Sequence, residues 1–265
     1  MAVSYQRKEA MYRAYMEFFE LAEKKRRWNI WDDIPWDDLD PRLNNEGDAM
    51  RLETYCGVEL YLPDYIAEGV NISREIFGQA WFAANWAYEE SKHALVFREY
   101  LVRSGLRTTE EYMKFEESVL EQRWQSRTIT LRQTTIYGAF QELLTYHIYR
   151  KQYDRAKLAE NTVLMRVMEL IARDEAAHCG FYRKIVQYEL DDDRDGATED
   201  IVSVLGSFSM PGSDIMPNYQ DRLATPDAGL TREQFMRHII FPTLKTFGVT
   251  RGDIARIQSA KAERA

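Results

Sequence analysis

Two copies of one short pattern constrain this chain more than anything else in it. Glu90-Ser91-Lys92-His93 and Glu175-Ala176-Ala177-His178 both read Glu-x-x-His. On an α-helix, residues three apart are neighbours, rotated by roughly 60° and offset by ~4.5 Å along the axis. A carboxylate and an imidazole at that spacing can reach one metal ion together. A single Glu-x-x-His reads as readily as a surface salt-bridge glutamate beside a core histidine. Two of them use two of the chain's four histidines, and both lie in long helix-forming stretches.

Sparse glycine and proline among strong helix formers predict an all-α chain. The first helix is expected from about Tyr5 to Arg27, with Met11, Tyr15, Phe18 and Ala22 on one apolar stripe. Trp28 to Asn45, broken by Pro35 and Pro41, reads as a surface loop. A second helix starts near Asp48 and passes Glu59, and Pro63 predicts its kink or end. A third runs from about Asn71 to Ser104, stopped by Gly105. Thr108 with Glu111 makes a capping box for a shorter helix. Long helices follow at about Gln133 to Ala156 and, capped by Asn161, on to about Leu190. Asp191 to Gly196 reads as a solvated turn, followed by helices at about Thr198 to Phe208 and Thr231 to Phe247. The absence of repeats and linkers predicts one domain over 1–265: an N-terminal helix and Trp-rich arm over about 1–47, a core bundle over about 48–190, and C-terminal helices over about 191–265.

Composition removes several function classes. No apolar run approaches the ~20 residues of a membrane span, and no secretory signal is visible at the N-terminus. Two cysteines, Cys56 and Cys179, make no disulfide framework, so a cytoplasmic setting is expected. The net charge of −8 argues against a general nucleic-acid binder.

Each half of the chain offers a single glutamate and then a Glu-x-x-His one helix later. Glu59 precedes Glu90 by 31 residues, and Glu142 precedes Glu175 by 33. Four carboxylates and two imidazoles from four helices form the pattern of carboxylate-bridged di-metal bundles. They balance most of the charge of two divalent ions, and this hard donor set suits iron or manganese. Taken alone, the paired patterns leave ribonucleotide reductase small subunits, monooxygenases and ferritins open.

Longer segments narrow the field. Glu59 with Leu62-Pro63-x-Tyr65, Trp86-Ala-Tyr-Glu89-Glu90-Ser-Lys-His93, Phe140-Gln141-Glu142-x-x-Thr145, Asp174-Glu175-x-x-His178, and Ser209-Met210-Pro211 follow one another in that order along the chain. Together they resemble the soluble acyl-carrier-protein desaturases of the ferritin-like di-iron superfamily, over about Trp28 to Phe247. Lys92 stands where that family usually has Arg. The resemblance implies a ferritin-like four-helix di-iron bundle with additional flanking helices. It implies two iron ions held by Glu59, Glu90, His93, Glu142, Glu175 and His178, with Glu90 and Glu175 bridging, and manganese as the alternative metal. The implied reaction places a cis double bond in a saturated acyl chain, using dioxygen and electrons from a ferredoxin-type donor. The implied assembly is a homodimer.

The resemblance assigns Thr145 a proton-delivering role; the plainer reading is a hydroxyl bonded back to its own helix. Asp174 is expected to hold a ligand imidazole from behind. Trp28, with Trp31 as second choice, matches a surface tryptophan through which electrons reach the metals. Lys24, Lys25, Arg26 and Arg27 form the clearest basic cluster and are expected to dock the acidic acyl carrier protein, or to complement the helix C-terminus. A related oxidase or hydroxylase acting on a carrier-bound intermediate, and a non-enzymatic ferritin-like metal-binding protein, are the alternative functions.

Overall fold

In this computed structural model, which describes residues 3–264, every regular element is helical. In chain order these are α1 (Tyr5–Leu21), α2 (Glu46–Leu60), α3 (Leu62–Ser73), α4 (Phe77–Arg103), α5 (Thr109–Leu120), α6 (Leu131–Leu158), α7 (Thr162–Asp192), α8 (Arg194–Gly206), α9 (Tyr219–Leu223), α10 (Arg232–Phe235), α11 (Phe241–Thr246) and α12 (Arg251–Arg264). A π-turn, Ala22–Arg26, continues α1, and a second, Met236–Ile240, joins α10 to α11. Short polar side chains set most of the starts. Ser4, Asn45, Thr130, Asn161 and Asp193 each accept a backbone N–H of the turn they precede. Thr108 and Thr231 form complete capping boxes with Glu111 and Gln234.

The all-α expectation holds, and its departures have local causes. α2 ends at Leu60, the end that Pro63 predicts, and Pro63 itself sits in the first turn of α3, where a missing N–H costs nothing. The helix expected from Asn71 begins instead at Phe77, because Asn71 falls in the last turn of α3 and the chain breaks at Arg74 to Ile76. The acidic run after α7 is also not an open turn. Only Asp193 leaves helical geometry, and its carboxylate accepts from Gly196 N at 3.0 Å, starting α8 at once.

α2, α4, α6 and α7 form the central bundle, with α6 lying along α7 and α2 along α4. α1 lies across α4 and α7, and Phe18 from it meets Phe82 edge-on at 5.0 Å. Phe82 stacks on Phe181 of α7 at 3.7 Å, closing an aromatic wall beside His178. The close approach of α1 to α4 depends on Gly78. A Cβ there would lie 2.5 Å from the Met11 carbonyl carbon and oxygen. Gly78→Ala must therefore spread two backbones, and it is expected to cost about 1–3 kcal/mol by overpacking. Gly69 on α3, where an added Cβ meets nothing within 4 Å, provides the control: Gly69→Ala should be neutral or gain up to about 1 kcal/mol of helix propensity. Urea unfolding of both variants checks this, and equal midpoints would remove the packing argument.

Candidate metal centre

The four bundle helices bring the six predicted side chains together in the interior. Glu59 comes from α2, Glu90 and His93 from α4, Glu142 from α6, and Glu175 and His178 from α7; all six are buried. Their donor atoms fall into two overlapping groups. Glu59, Glu90, His93 and Glu175 place one atom each within 4.8 Å of one another, and so do Glu90, Glu142, Glu175 and His178. Glu90 and Glu175 belong to both.

Each imidazole turns Nδ1 inward. His93 Nδ1 lies 2.9 Å from Glu90 Oε2 and 3.5 Å from Glu175 Oε1. His178 Nδ1 lies 3.0 Å from Glu90 Oε1 and 3.4 Å from Glu142 Oε2. Despite these approaches, both Nδ1 atoms, Glu90 Oε1 and Glu142 Oε2, together with the outward His93 Nε2, are buried without a hydrogen bond of acceptable geometry. Buried polar atoms are rarely left so. Lone pairs aimed at common points, rather than at each other's protons, are what a pair of metal ions requires.

The electrostatics give the same answer. Burial and the nearby Glu90 charge raise the Glu59 carboxyl to about 8. Burial, with Glu90 and Glu142, drives Glu175 well above the carboxylate range. Glu90 itself is held at about 2, because the two histidines outweigh its burial. His93 is lifted to about 10 and His178 well above its usual value, burial being overcome by the surrounding carboxylates. Four carboxylates in one core thus gather positive charge from whatever source is at hand, and the donor set fits two divalent cations.

Behind these six residues lies a set of supporting contacts. Trp86 Nε1 donates to Glu142 Oε1 at 3.0 Å, and Tyr149 Oη to Glu59 Oε1 at 3.0 Å. Thr145 Oγ1 makes the back-bond to Gln141 O at 3.2 Å, and also lies 2.7 Å from Glu175 Oε2, to which it donates. Asp174 Oδ2 faces His93 Nε2 at 3.5 Å and accepts from Trp28 Nε1 at 2.6 Å. Glu89 Oε2 plays the corresponding part for His178 Nε2, at 2.7 Å. Trp28, expected at the surface, is buried at 4% exposure, with the Lys92 ammonium 4.4 Å from its ring centre. Lys92 is itself enclosed, and burial lowers its pKa. Trp31 is 73% exposed, and only its backbone N–H bonds, to Asn29.

The basic run divides. Lys24 and Lys25 are exposed, and Lys24 pairs with Glu20. Arg26 is buried at 5% and pairs with Glu89 and Asp174. Arg27 is half-buried and engages Glu89 and Asn85. The π-turn at Ala22–Arg26 explains the difference, since its extra residue per turn rotates Arg26 toward the core. Sequence reasoning missed Arg26, Glu89 and Tyr149 as parts of the site. Glu89 carried a signal, as the first of the paired glutamates beside Glu90. Tyr149 carried one too, seven residues after Glu142 on the same helical face.

An apolar pocket opens from the carboxylates. Glu59, Glu90 and Glu142 line its inner end, and Ile66, Gly69 and Ile72 of α3 form one wall against Tyr137, Gly138 and Trp124. α3 is fixed there by its acidic side chains: Asp64 accepts from Trp124 N at 3.0 Å and Glu68 from Ser126 N at 3.1 Å. The Tyr65 and Trp124 rings meet edge-on at 4.7 Å.

Comparison with known proteins agrees with this geometry. The sequence profile of a family described as fatty acid desaturase matches residues 61–227. The Mycobacterium tuberculosis protein provisionally named acyl-[acyl-carrier-protein] desaturase DesA2 is 30% identical over 203 residues, covering 73% of this chain and 71% of that protein. DesA1 of the same organism, with the same provisional name, is 24% identical over 246 residues, covering 84% and 71%. The solved structure of DesA2 superposes with a TM-score of 0.68 at 22% identity, over 95% of this chain and 99% of that one. An R2-like ligand-binding oxidase from Sulfolobus acidocaldarius shares the fold at a TM-score of 0.51 and 14% identity, over 92% and 90%. The expected ferritin-like bundle is therefore the fold observed, and the chain belongs to the acyl-[acyl-carrier-protein] desaturase family of fatty acid desaturases.

Proposed function

We propose that this oxidoreductase is a dioxygen-dependent acyl-[acyl-carrier-protein] desaturase that forms a cis double bond in a carrier-bound saturated chain, with electrons from a ferredoxin-type donor. The observation that carries the reading is a buried cluster of four carboxylates and two imidazoles, three of whose carboxylates, Glu59, Glu90 and Glu142, line an apolar pocket. Two irons would be held by Glu59, Glu90, His93 and Glu175 on one side and by Glu90, Glu142, Glu175 and His178 on the other. Manganese satisfies the same hard donors. When bound, the di-iron centre supplies the oxidising power, from dioxygen, two electrons and two protons, that removes two hydrogens from adjacent methylenes and leaves an alkene and water.

The chain's own residues do the rest. An alkyl chain offers no charge to grip, so carbon selection falls to the pocket walls, which fix the chain and exclude water. Tyr149 and Trp86 each hold one oxygen of Glu59 and Glu142, leaving the other free to face inward. Thr145 Oγ1, 2.7 Å from Glu175 Oε2, directs its hydroxyl proton to that oxygen and relays protons at that edge of the site. Asp174 accepts from Trp28 and lies 3.5 Å from His93 Nε2, a short route for electrons to one half of the cluster.

Iron-loaded, reduced protein incubated with saturated acyl carrier protein and oxygen should yield products lighter by two hydrogens in mass spectrometry. It should also hold two irons per chain. Glu90→Ala and Glu175→Ala should lose the iron pair while helical circular dichroism persists. An acyl product heavier by one oxygen would mean hydroxylation, and an unchanged mass across chain lengths would defeat the proposal. Thr145→Val keeps the volume and removes the proton. It should retain iron but consume more oxygen per alkene formed; unaltered coupling would return Thr145 to a packing role. Gly69→Phe projects a ring into the pocket, where the wild type has open space. The preferred acyl length should shorten with iron content unchanged, and an identical chain-length profile would place the substrate elsewhere.

A further inference from the structure

Arg26 lies on the N-terminal segment, outside the four helices of the bundle, yet its guanidinium sits between the two carboxylates that back the two histidines. Nη1 donates to Asp174 Oδ1 at 2.6 Å and to Glu89 Oε2 at 3.0 Å, and Nη2 lies 2.9 Å from Glu89 Oε1. Asp174 uses its other oxygen, Oδ2, to face His93 Nε2. Glu89 takes His178 Nε2 on Oε2. One planar cation therefore reaches the outer nitrogens of both imidazoles through a single carboxylate on each side, by a hydrogen bond at His178 Nε2 and by a 3.5 Å approach without one at His93 Nε2. Its plane is fixed from elsewhere: the Phe18 ring lies 4.8 Å from the guanidinium carbon, and the Arg26 carbonyl accepts from Arg173 Nη2 at 2.8 Å.

From this geometry we infer that Arg26 is a positioning residue common to both halves of the site, one that couples the two metal positions to each other and to the N-terminal segment. The inference rests on the two-metal reading above. A histidine presents Nδ1 to a metal when its Nε2 proton is anchored, and the anchoring carboxylate must itself be held. Here a rotation of either anchor breaks its bond to Arg26, and a shift of Arg26 loosens both. Two neighbours touch only one side and so provide an internal comparison. Trp28 bonds Asp174 and not Glu89, whereas Arg27 bonds Glu89 and not Asp174. Lysine cannot replace the fork, since an ammonium lacks two parallel donors on one plane.

The test is anaerobic competition of the iron(II)-loaded protein against a chromogenic iron(II) chelator, with folding followed separately by circular dichroism. Arg26→Met should weaken both irons by about tenfold or more. Arg26→Lys, which keeps the buried charge and safeguards the fold, should weaken both by less. Trp28→Phe and Arg27→Met should each weaken one iron only. Wild-type retention of both irons in Arg26→Lys and Arg26→Met overturns the inference, and so does loss confined to one iron in both. If Arg26→Met does not fold, Arg26→Lys decides alone: both irons weakened supports the coupling, one or none overturns it. A wild type that binds fewer than two irons removes the two-metal reading itself, a result separable from any Arg26 effect.

Discussion

Four carboxylates enclosed in one helical core repel one another, and nearly every polar contact around them answers that repulsion. Taking a single carboxylate out of water is costly unless it is paired or protonated. Glu59, Glu90, Glu142 and Glu175 are all buried, so their mutual repulsion falls to the two imidazoles and to whatever cations lie in the middle. The outer layer extends the same logic. Asp174 and Glu89 are two more buried acids, and Arg26, Arg27 and Lys92 are the cations that offset them. Alternating shells of negative and positive charge allow a dense cluster of acids to exist inside an otherwise apolar bundle.

Local rules made the bundle legible. Helix termini marked by Thr108 and Asn161 lie where their side chains predict, because a cap is decided by residues three apart. The six inward donors were legible for a related reason, since Glu-x-x-His encodes proximity within one helical turn. What could not be read depends on relations between segments. Pro63 is equally compatible with ending a helix and starting one, and only the packing of α3 over the pocket decides. Arg26 looked like the third of four surface cations, and no periodicity in Lys24 to Arg27 announces a π-turn. Trp28 matched a surface position in the sequence, whereas Lys92 covers it in the fold.

The pocket and the charged cluster share a wall, and they put opposite demands on it. Substrate selection requires apolar surface, and the cluster requires polar anchors within bonding distance. Trp86 satisfies both in one side chain, its ring lining the pocket and its Nε1 bonding Glu142, while Tyr149 bonds Glu59 from the core beside it. Tyr149 further meets Tyr55 edge-on at 5.6 Å. Its hydroxyl is thereby held on Glu59 by hydrocarbon contacts rather than by further polar neighbours.

The contact between Arg26 and Asp174 joins residues 148 positions apart, which gives it a meaning in time as well as in space. During synthesis at about 5–20 residues per second, the arginine leaves the ribosome roughly 7 to 30 seconds before its partner. For that interval α1 and its cationic end have no acidic cluster to enclose. Arg26 and the π-turn that carries it therefore wait for α7 before their buried contact with Asp174 can close.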